Sequence, residues 1–542
     1  IELKEMLQKK GYQFFTDGDT EIIPAAFDCW GRECLHHFDG MFVFVLYNHL
    51  SHEIFIARDR FGEKPLYFSH DKKENSSFES FVFASEMKAL WAVGIPRDYY
   101  GERLLQYLAL GKVTGFPDKK NTFYKNVLSL PQGHFISIQT KTCEIEIKKW
   151  YTPNLEKNNE EKNVNTIITQ FLSLLETSVS RRLRSHVHTG TSLSGGIDSA
   201  AIAAMIMGIK KKNECWKNTA FTASFPGFEK DELSKSKEVA AFLHMQQEII
   251  FPTEKDWIEN FEKIMYHQEE HLQSSSVLSQ YMVYKKAKEK NIIVLLDGQG
   301  ADEILGGYTK YTRWYLQELL REKKPAFINE KKLLLANEFL ENWDTKDYIM
   351  SAFPRISIAV LQSIEKWKIK HTGYIQKDFY ETYKDHQSLR KNMAYGLSGQ
   401  LAYNSFESGL DELLRYADRN SMAHSVEVRL PFLSHELVEL IFSLPSSFKM
   451  KNGFTKWILR KAMVNKLPEN IIWAKGKIGY EPPQATWMKI KPIQDMIITA
   501  RKKLVEKNIL QKEIIDQPIN AKSAHAAGNT DWRILCAATL LK

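Results

Sequence analysis

Hydrophobic positions change their period along the chain, and each change marks an element. Ile1, Leu3, Met6 and Leu7 fall on one helical face, with no capping residue before them. Short apolar runs at 40–47, 53–57, 65–68 and 81–84 then follow at close spacing, separated by polar pieces such as Asn48-His49 and Asp71-Lys72-Lys73. The intervals leave no room for crossover helices, so these runs predict antiparallel strands. Their nearly continuous apolar character predicts burial on both faces, as in stacked sheets with helices outside. Residues 127–140, with Pro131-Gln132-Gly133-His134 as a turn, read as a further strand pair. After Trp150, residues 152–161 carry almost no apolar side chains and read as a linker.

Helical spacing resumes at Val164, Ile167, Ile168, Phe171, Leu174, Leu175 and Val179, up to Leu183. Strands and helices then alternate: a strand at 219–225, helices at 232–244 and 280–290, and an apolar strand at 291–296. Beyond about 308 the pattern is helical, and Trp314, Tyr315, Trp343 and Trp367 read as core packing. The fold class predicted is α+β followed by α/β. Stacked antiparallel sheets occupy 1–150, a linker 151–164, and a doubly wound parallel sheet with a helical C-terminal part 165–542.

A chain of 542 residues exceeds one core, which agrees with that division. The net charge of +8 lies in Lys-rich stretches such as Lys210-Lys211-Lys212 without interleaved aromatics, a pattern of solvated surface and not of nucleic-acid binding. No apolar run is long enough to span a bilayer and no signal-peptide pattern is present. Five scattered cysteines fit a reducing compartment, and Cys29 and Cys34 lack a second ligand pair for zinc. The expectation is a cytoplasmic protein with neither membrane nor nucleic acid among its partners.

The candidate chemistry sits at Ser194-Gly195-Gly196-Ile197-Asp198-Ser199, between a small-residue run and an alanine-rich helix former. Two glycines let backbone N–H groups approach an anion at a helix N-terminus. No Lys stands where a GxxxxGK[ST] loop needs one, which favours pyrophosphate release over γ-phosphate transfer. The loop alone fits an empty Ser/Gly turn equally well. A second Gly-rich loop, Asp297-Gly298-Gln299-Gly300-Ala301-Asp302-Glu303, follows the 291–296 strand, so both loops lie at carboxyl ends of parallel strands. Singly, Asp198 and Asp302 suit helix caps or loop hydrogen bonds. As a pair beside a phosphate loop they suit Mg²⁺, which takes one or two carboxylates plus phosphate oxygens.

These two loops, with Ser421-Met422-Ala423-His424-Ser425-Val426-Glu427-Val428-Arg429-Leu430-Pro431-Phe432-Leu433 and Lys477-Ile478-Gly479-Tyr480, resemble the glutamine-dependent asparagine synthetases in the family's order. In the N-terminal part Asp39-Gly40-Met41-Phe42, Arg58-Asp59-Arg60-Phe61-Gly62-Glu63-Lys64 and Ala84-Ser85-Glu86-Met87-Lys88 are similar to its glutaminase domain. The resemblance implies an N-terminal-nucleophile-type glutaminase fold, incomplete here, and an ATP-pyrophosphatase-like synthetase domain. It implies aspartate, ATP with Mg²⁺, and ammonia or glutamine as reactants, and a homodimer as the assembly to test. On it, Ser192, Leu193 and Ala223 line the nucleotide site; Ser194, Gly195, Gly196, Asp198 and Ser199 hold Mg-pyrophosphate. Asp297 and Gly298 lie beside the adenylate, Asp302 is the second metal carboxylate, and Lys477 is the transition-state cation. Glu427 and Arg429 hold the rim, and Asp19 matches a glutamine-contacting position.

The departures carry expectations of their own. The family nucleophile is an N-terminal Cys whose α-amine is its base. Here Ile1 stands first and the flanking glutamine-binding segments are absent, so an upstream piece is expected to be missing and the chain as written is not expected to hydrolyse glutamine. Gln299 stands where some members carry a Glu linked to β-aspartyl-AMP formation; an amide can hydrogen-bond but cannot act as a base. Ser434, Ala474 and His271 replace the usual Asp, Arg and Pro. Two other readings stay open: the same adenylation with a different carboxylate, as in β-lactam-forming or sugar-amidating relatives, and a nucleotide-binding homologue without turnover.

Overall fold

The computed structural model describes all residues except 17, 72–79, 115–117, 156–162, 211–217, 385–395 and 542. The separators Lys72-Lys73, the run Lys211-Lys212, Cys215 and half of the predicted linker lie outside the described residues. Two compact units emerge, one of residues 1–95 with 127–153, the other of 96–126 with 154–542. They are not separated by one cut near 150. The apolar helix Gly101–Leu110 buries Leu104, Leu105 and Leu108 within the C-terminal unit, where the Tyr107 hydroxyl donates to the Leu272 carbonyl at 2.7 Å. Arg533 of the C-terminal helix likewise donates to the carbonyls of Leu108 and Ala109, 3.0 Å each.

Among the described residues the first unit holds seven strands: β1 (Val43–Asn48), β2 (Glu53–Arg58), β3 (Tyr67–Asp71), β4 (Ser80–Ala84), β5 (Leu128–Ser129), β6 (His134–Gln139) and β7 (Glu144–Lys149). They form two antiparallel sheets ordered β1-β2-β6-β7 and β4-β3-β5. Alternation along β2 explains the layering. Ile54 and Ile56 join Phe68, Leu128, Leu130 and Ile136 in a cluster between the sheets, whereas Phe55 and Ala57 pack on the other face with Leu7, Ala26 and Leu35 from the flanking helices.

Two expectations are corrected. β1 is not buried on both faces: it is an edge strand, and Val45 and Tyr47 are 41% and 45% exposed. Residues 127–140 do not form a strand pair either, because β5 pairs with β3 while β6 pairs with β2 and β7.

Between β2 and β3 the Arg58–Lys64 stretch is wound around one carboxylate. Asp59 is fully buried; its Oδ1 accepts from the N–H groups of Phe61, Gly62 and Glu63 at 3.1, 2.6 and 3.0 Å, and its Oδ2 from Lys64 at 3.0 Å. Truncation would strand those donors without solvent. Asp59→Ala is therefore expected to destabilise the N-terminal unit by roughly 3–5 kcal/mol, read as a lowered urea midpoint in hydrogen exchange of β2 and β3.

The second unit is built on a five-stranded parallel sheet: β8 (Thr189–Ser192), β9 (Asn218–Ala223), β10 (Gln246–Ile250), β11 (Val294–Leu296) and β12 (Glu427–Arg429), ordered β10-β9-β8-β11-β12. β9 and β10 extend to one side of β8, β11 and β12 to the other, so strand order reverses between β8 and β11. That is the crevice where ligands bind in open parallel sheets. The helix Ile197–Lys210 crosses from β8 to β9 and is buried on every side from Ser199 to Ile206, as its Ala-rich, uniformly apolar sequence dictates. Beyond 308 the described residues are mostly helical, with β12 and a few other short strands among them; Tyr315 is core, but Trp367, expected there too, is 61% exposed and stacks on His371. Among the described residues no helix is long and apolar enough to cross a membrane.

Candidate active site

The loop leaving β8 is shaped by two serines. Ser199 Oγ accepts from the Ser194 N–H at 3.0 Å and lies 3.0 Å from Ser194 Oγ, which accepts from the Gly196 N–H at 3.1 Å. These bonds fold 194–196 over the first turn of the helix Ile197–Lys210. Close packing then demands one glycine in each of the two Gly-rich loops, Gly195 and Gly298. A Cβ at Gly195 would lie 2.7 Å from Lys235 Cβ, and one at Gly298 would lie 2.9 Å from the Ser199 nitrogen and 3.0 Å from the Asp198 carbonyl carbon. The two Gly-rich loops therefore touch backbone to backbone, and Asp198 and Asp302 face one cavity.

That cavity measures about 1380 Å³ and lies wholly in the C-terminal unit. On its wall Lys456 bridges the two carboxylates, its Nζ 2.5 Å from Asp198 Oδ2 and 2.5 Å from Asp302 Oδ1. Lys477 Nζ pairs with the other oxygen of Asp302 and sits 4.2 Å over the Tyr308 ring. The result is a buried chain of alternating charge, Asp198–Lys456–Asp302–Lys477. Burial opposes charging at Asp198, Lys456 and Asp302. At Asp302 the two lysines overcome burial and hold the carboxyl well below its usual range; at Asp198 burial prevails and the pKa rises. Burial would lower the Lys456 pKa, but Asp198 and Asp302 raise it, so its ammonium stays charged. Lys456 also takes a left-handed backbone conformation, φ +54°, at the start of the helix Trp457–Ala462. Such strain in a non-glycine residue is held only where the surroundings fix it.

A divalent cation fits this donor set. Asp198 Oδ1 is buried with no hydrogen-bond partner, and Asp302 offers a second carboxylate on the same lysine. Among the described residues no three His, Cys, Asp or Glu side chains converge as a metal cage. Two carboxylates completed by phosphate oxygens are the arrangement Mg²⁺ takes.

Of the residues singled out from sequence, Ser194, Gly195, Gly196, Asp198, Gln299, Asp302 and Lys477 line the cavity. Ser199 supports the loop from beneath. Ser192, Leu193, Ala223, Asp297 and Gly298 form the layer behind it: the Asp297 carboxylate accepts from the Ser192 side chain and from the N–H groups of Gly298 and Gln299, and the Leu193 carbonyl accepts from Thr222 Oγ1 at 2.6 Å. Glu427 and Arg429 lie in β12, where Arg429 donates to Glu427 at 2.5 Å and to the carbonyls of Arg182 and Arg184 at 2.7 Å. Asp19 belongs to the N-terminal unit and is exposed; the neighbouring Glu21, not Asp19, accepts the N–H bonds of Phe15 and Thr16.

Lys456 was not found from the sequence, although a lone Lys between Phe454-Thr455 and the apolar Trp457-Ile458-Leu459 is a signal for a buried, paired cation. Glu232 was missed as well: it packs beside Gly195, and burial pushes its carboxyl up to about 7.

Comparison with known proteins divides the chain near residue 151, with residues 96–126 inside the N-terminal match although they belong to the second compact unit. A family model for asparagine synthase matches residues 170–541, and one for a glutamine amidotransferase domain matches residues 1–151. Asparagine synthetase (glutamine-hydrolyzing) 1 of Bacillus subtilis is 29% identical over 501 residues, covering 90% of this chain and 75% of that protein. Asparagine synthetase (glutamine-hydrolyzing) 3 of the same organism is 25% identical over 546 residues, 96% of this chain and 80% of that protein. Amidase chry2 of Gibberella zeae is 24% identical over 516 residues, 88% of this chain and 74% of that protein.

Proposed function

Because the chain belongs to the asparagine synthase family, we propose that it converts aspartate to asparagine at the expense of ATP. In this reading the side-chain carboxylate of aspartate attacks the α-phosphorus of ATP, the bond to the pyrophosphate oxygen breaks, and β-aspartyl-AMP forms. Ammonia then displaces AMP. The observation that carries the reading is the Asp198–Lys456–Asp302–Lys477 chain beside the 194–199 loop. Adenylation brings a carboxylate onto a phosphate, so negative charge accumulates at the α-phosphorus, and fixed cations in a buried site stabilise it. Lys456 and Lys477 supply those cations, and the N-terminus of the helix Ile197–Lys210 supplies the anion cradle for the leaving pyrophosphate. Asp198 and Asp302 would hold Mg²⁺, which when bound neutralises phosphate charge.

The test is pyrophosphate release and asparagine formation from ATP, Mg²⁺, aspartate and ammonium. Both are expected, and both are expected to vanish in Asp198→Ala. No asparagine under saturating ammonium would sink the reading. The same assay with glutamine in place of ammonium reads the nitrogen source. A second reading keeps the adenylation and changes the carboxylate, favoured by the amide at Gln299 and by the similarity to amidase chry2. It predicts pyrophosphate release with another acid and none with aspartate.

A further inference from the structure

The second half of the proposed reaction needs a proton acceptor, and Gln299 cannot be one. When ammonia attacks the acyl-adenylate carbonyl, its lone pair forms the C–N bond and leaves the nitrogen positively charged. A proton must depart before the C–O bond to AMP breaks and the electron pair leaves with the phosphate. Gln299 lines the cavity with its side-chain oxygen buried and unpartnered, yet an amide does not take that proton.

Other carboxylates on the cavity wall are committed or exposed. Asp198 and Asp302 are bound to Lys456. Glu303 adjoins Asp302 and accepts from the Tyr308 hydroxyl at 2.6 Å. Glu481 is paired with Lys230, Glu232 packs under the phosphate loop at Gly195, and Glu229 and Glu341 are exposed. Glu412 accepts the same kind of tyrosine hydrogen bond as Glu303 but, unlike Glu303, is not next in sequence to a proposed metal carboxylate. It lines the same cavity, is 5% exposed, and among the described residues forms no ion pair; its Oε1 accepts from the Tyr416 hydroxyl at 2.6 Å.

We propose that Glu412, set by Tyr416, is the base that takes the proton from the attacking amine in the amidation half-reaction. The inference rests on the adenylation reading above. The cluster is built to poise the group. Burial pushes Glu412 up to about 7, with Asp411 raising it further and the Tyr416 hydrogen bond, Arg415 and Lys310 opposing. Arg415 is itself engaged by Glu270 and the His271 carbonyl, so it does not quench the carboxylate by contact. Lys310 lies within electrostatic reach of Glu412, Glu303, Asp302 and Lys477. A base with a pKa near the working pH is the most effective proton acceptor.

The experiment separates the half-reactions on the full chain. Aspartate-dependent exchange of labelled pyrophosphate into ATP reports adenylation and needs no amine; asparagine formation, followed against pH at a constant concentration of free ammonia, reports both. Glu412→Gln is expected to keep exchange within about threefold of wild type, to lower asparagine formation at least 30-fold, and to lose the acid limb of the pH profile near 7. Tyr416→Phe keeps the carboxylate, removes the donor that lowers its pKa, and is expected to move that limb to higher pH; it also serves if Glu412→Gln does not fold. Equal losses of exchange and amidation in Glu412→Gln, or a limb unmoved in Tyr416→Phe, would overturn the assignment of Glu412. Absence of aspartate-dependent exchange in the wild type would instead remove the reading beneath it, and this inference with it.

Discussion

Lys456→Met is expected to abolish pyrophosphate release and asparagine formation together, by at least about 10³-fold, while Lys477→Met leaves a measurable residue, about 10²-fold down. Removing one preorganised donor to a developing oxyanion costs about 10²–10³ in rate. Lys477 is such a donor: it is half-buried, pairs with only one of the two carboxylates in the described ion pairs, Asp302, and leaves Lys456 in place when lost. Lys456 does more. The residue is 5% exposed, and its ammonium is the only cation in the described ion pairs that touches both carboxylates at 2.5 Å. Without it Asp198 and Asp302 face each other with no shared counter-charge, and two like charges in a buried site cannot both stay ionised. One would take up a proton, and a protonated carboxyl is a poor cation ligand. The loss therefore falls on metal, phosphate and transition state at once. Pyrophosphate release at saturating ATP and aspartate measures it, with a thermal melt to show that the variant is folded. A Lys456→Met variant retaining a tenth of wild-type turnover would remove Lys456 from the chemistry.

The contrast between these lysines shows what the sequence can and cannot disclose. The 194–199 loop was legible because its signals are local: glycines for close approach, small polar residues for the turn, and alanines that commit the following residues to helix. Asp302 was legible for the same reason, inside a second glycine-rich loop after an apolar strand. Lys456 reaches Asp198 across 258 positions, from a six-residue helix whose register no period reveals. β12 spans three residues, too few for alternation to show, so Glu427-Val428-Arg429 read as a rim and not as the edge of the sheet. In the N-terminal unit, the apolar runs gave the strands and their antiparallel pairing. They could not say that β1 ends a sheet, because edge position is a property of the assembled layer. The helix Gly101–Leu110 was apolar in the sequence, but which unit it would bury itself in depended on partners at Leu272 and Arg533. Glu412 was invisible for a related reason: a glutamate in a polar stretch declares its charge, while its burial is decided by the helices around it.

Gly307→Ala is expected to silence the site while leaving the fold nearly intact. A Cβ at Gly307 would lie 1.8 Å from Asp302 Oδ1, 2.1 Å from Lys456 Cε and 2.7 Å from Lys456 Nζ. Gly307 is not among the residues with positive φ, so alanine meets no backbone penalty there, unlike at Gly306, φ +74°. These three nearest atoms are the far ends of side chains, which can swing aside at little cost in stability. Those ends are, however, the carboxylate and ammonium that the proposed chemistry requires at 2.5 Å. A displacement of about 1 Å in a reacting or positioning group costs about 10²-fold in rate. The expected outcome is a loss of pyrophosphate release of at least that size, with the unfolding midpoint shifted by no more than about 1 kcal/mol in urea. Gly208→Ala supplies the control. It sits in the helix Ile197–Lys210 with nothing within 4 Å of the added Cβ, and alanine there should stabilise by about 0.5–1 kcal/mol with turnover unchanged. If Gly307→Ala turned over like wild type, the Asp302–Lys456 contact would be dispensable, and the charge chain would be a packing feature instead of the centre of the site.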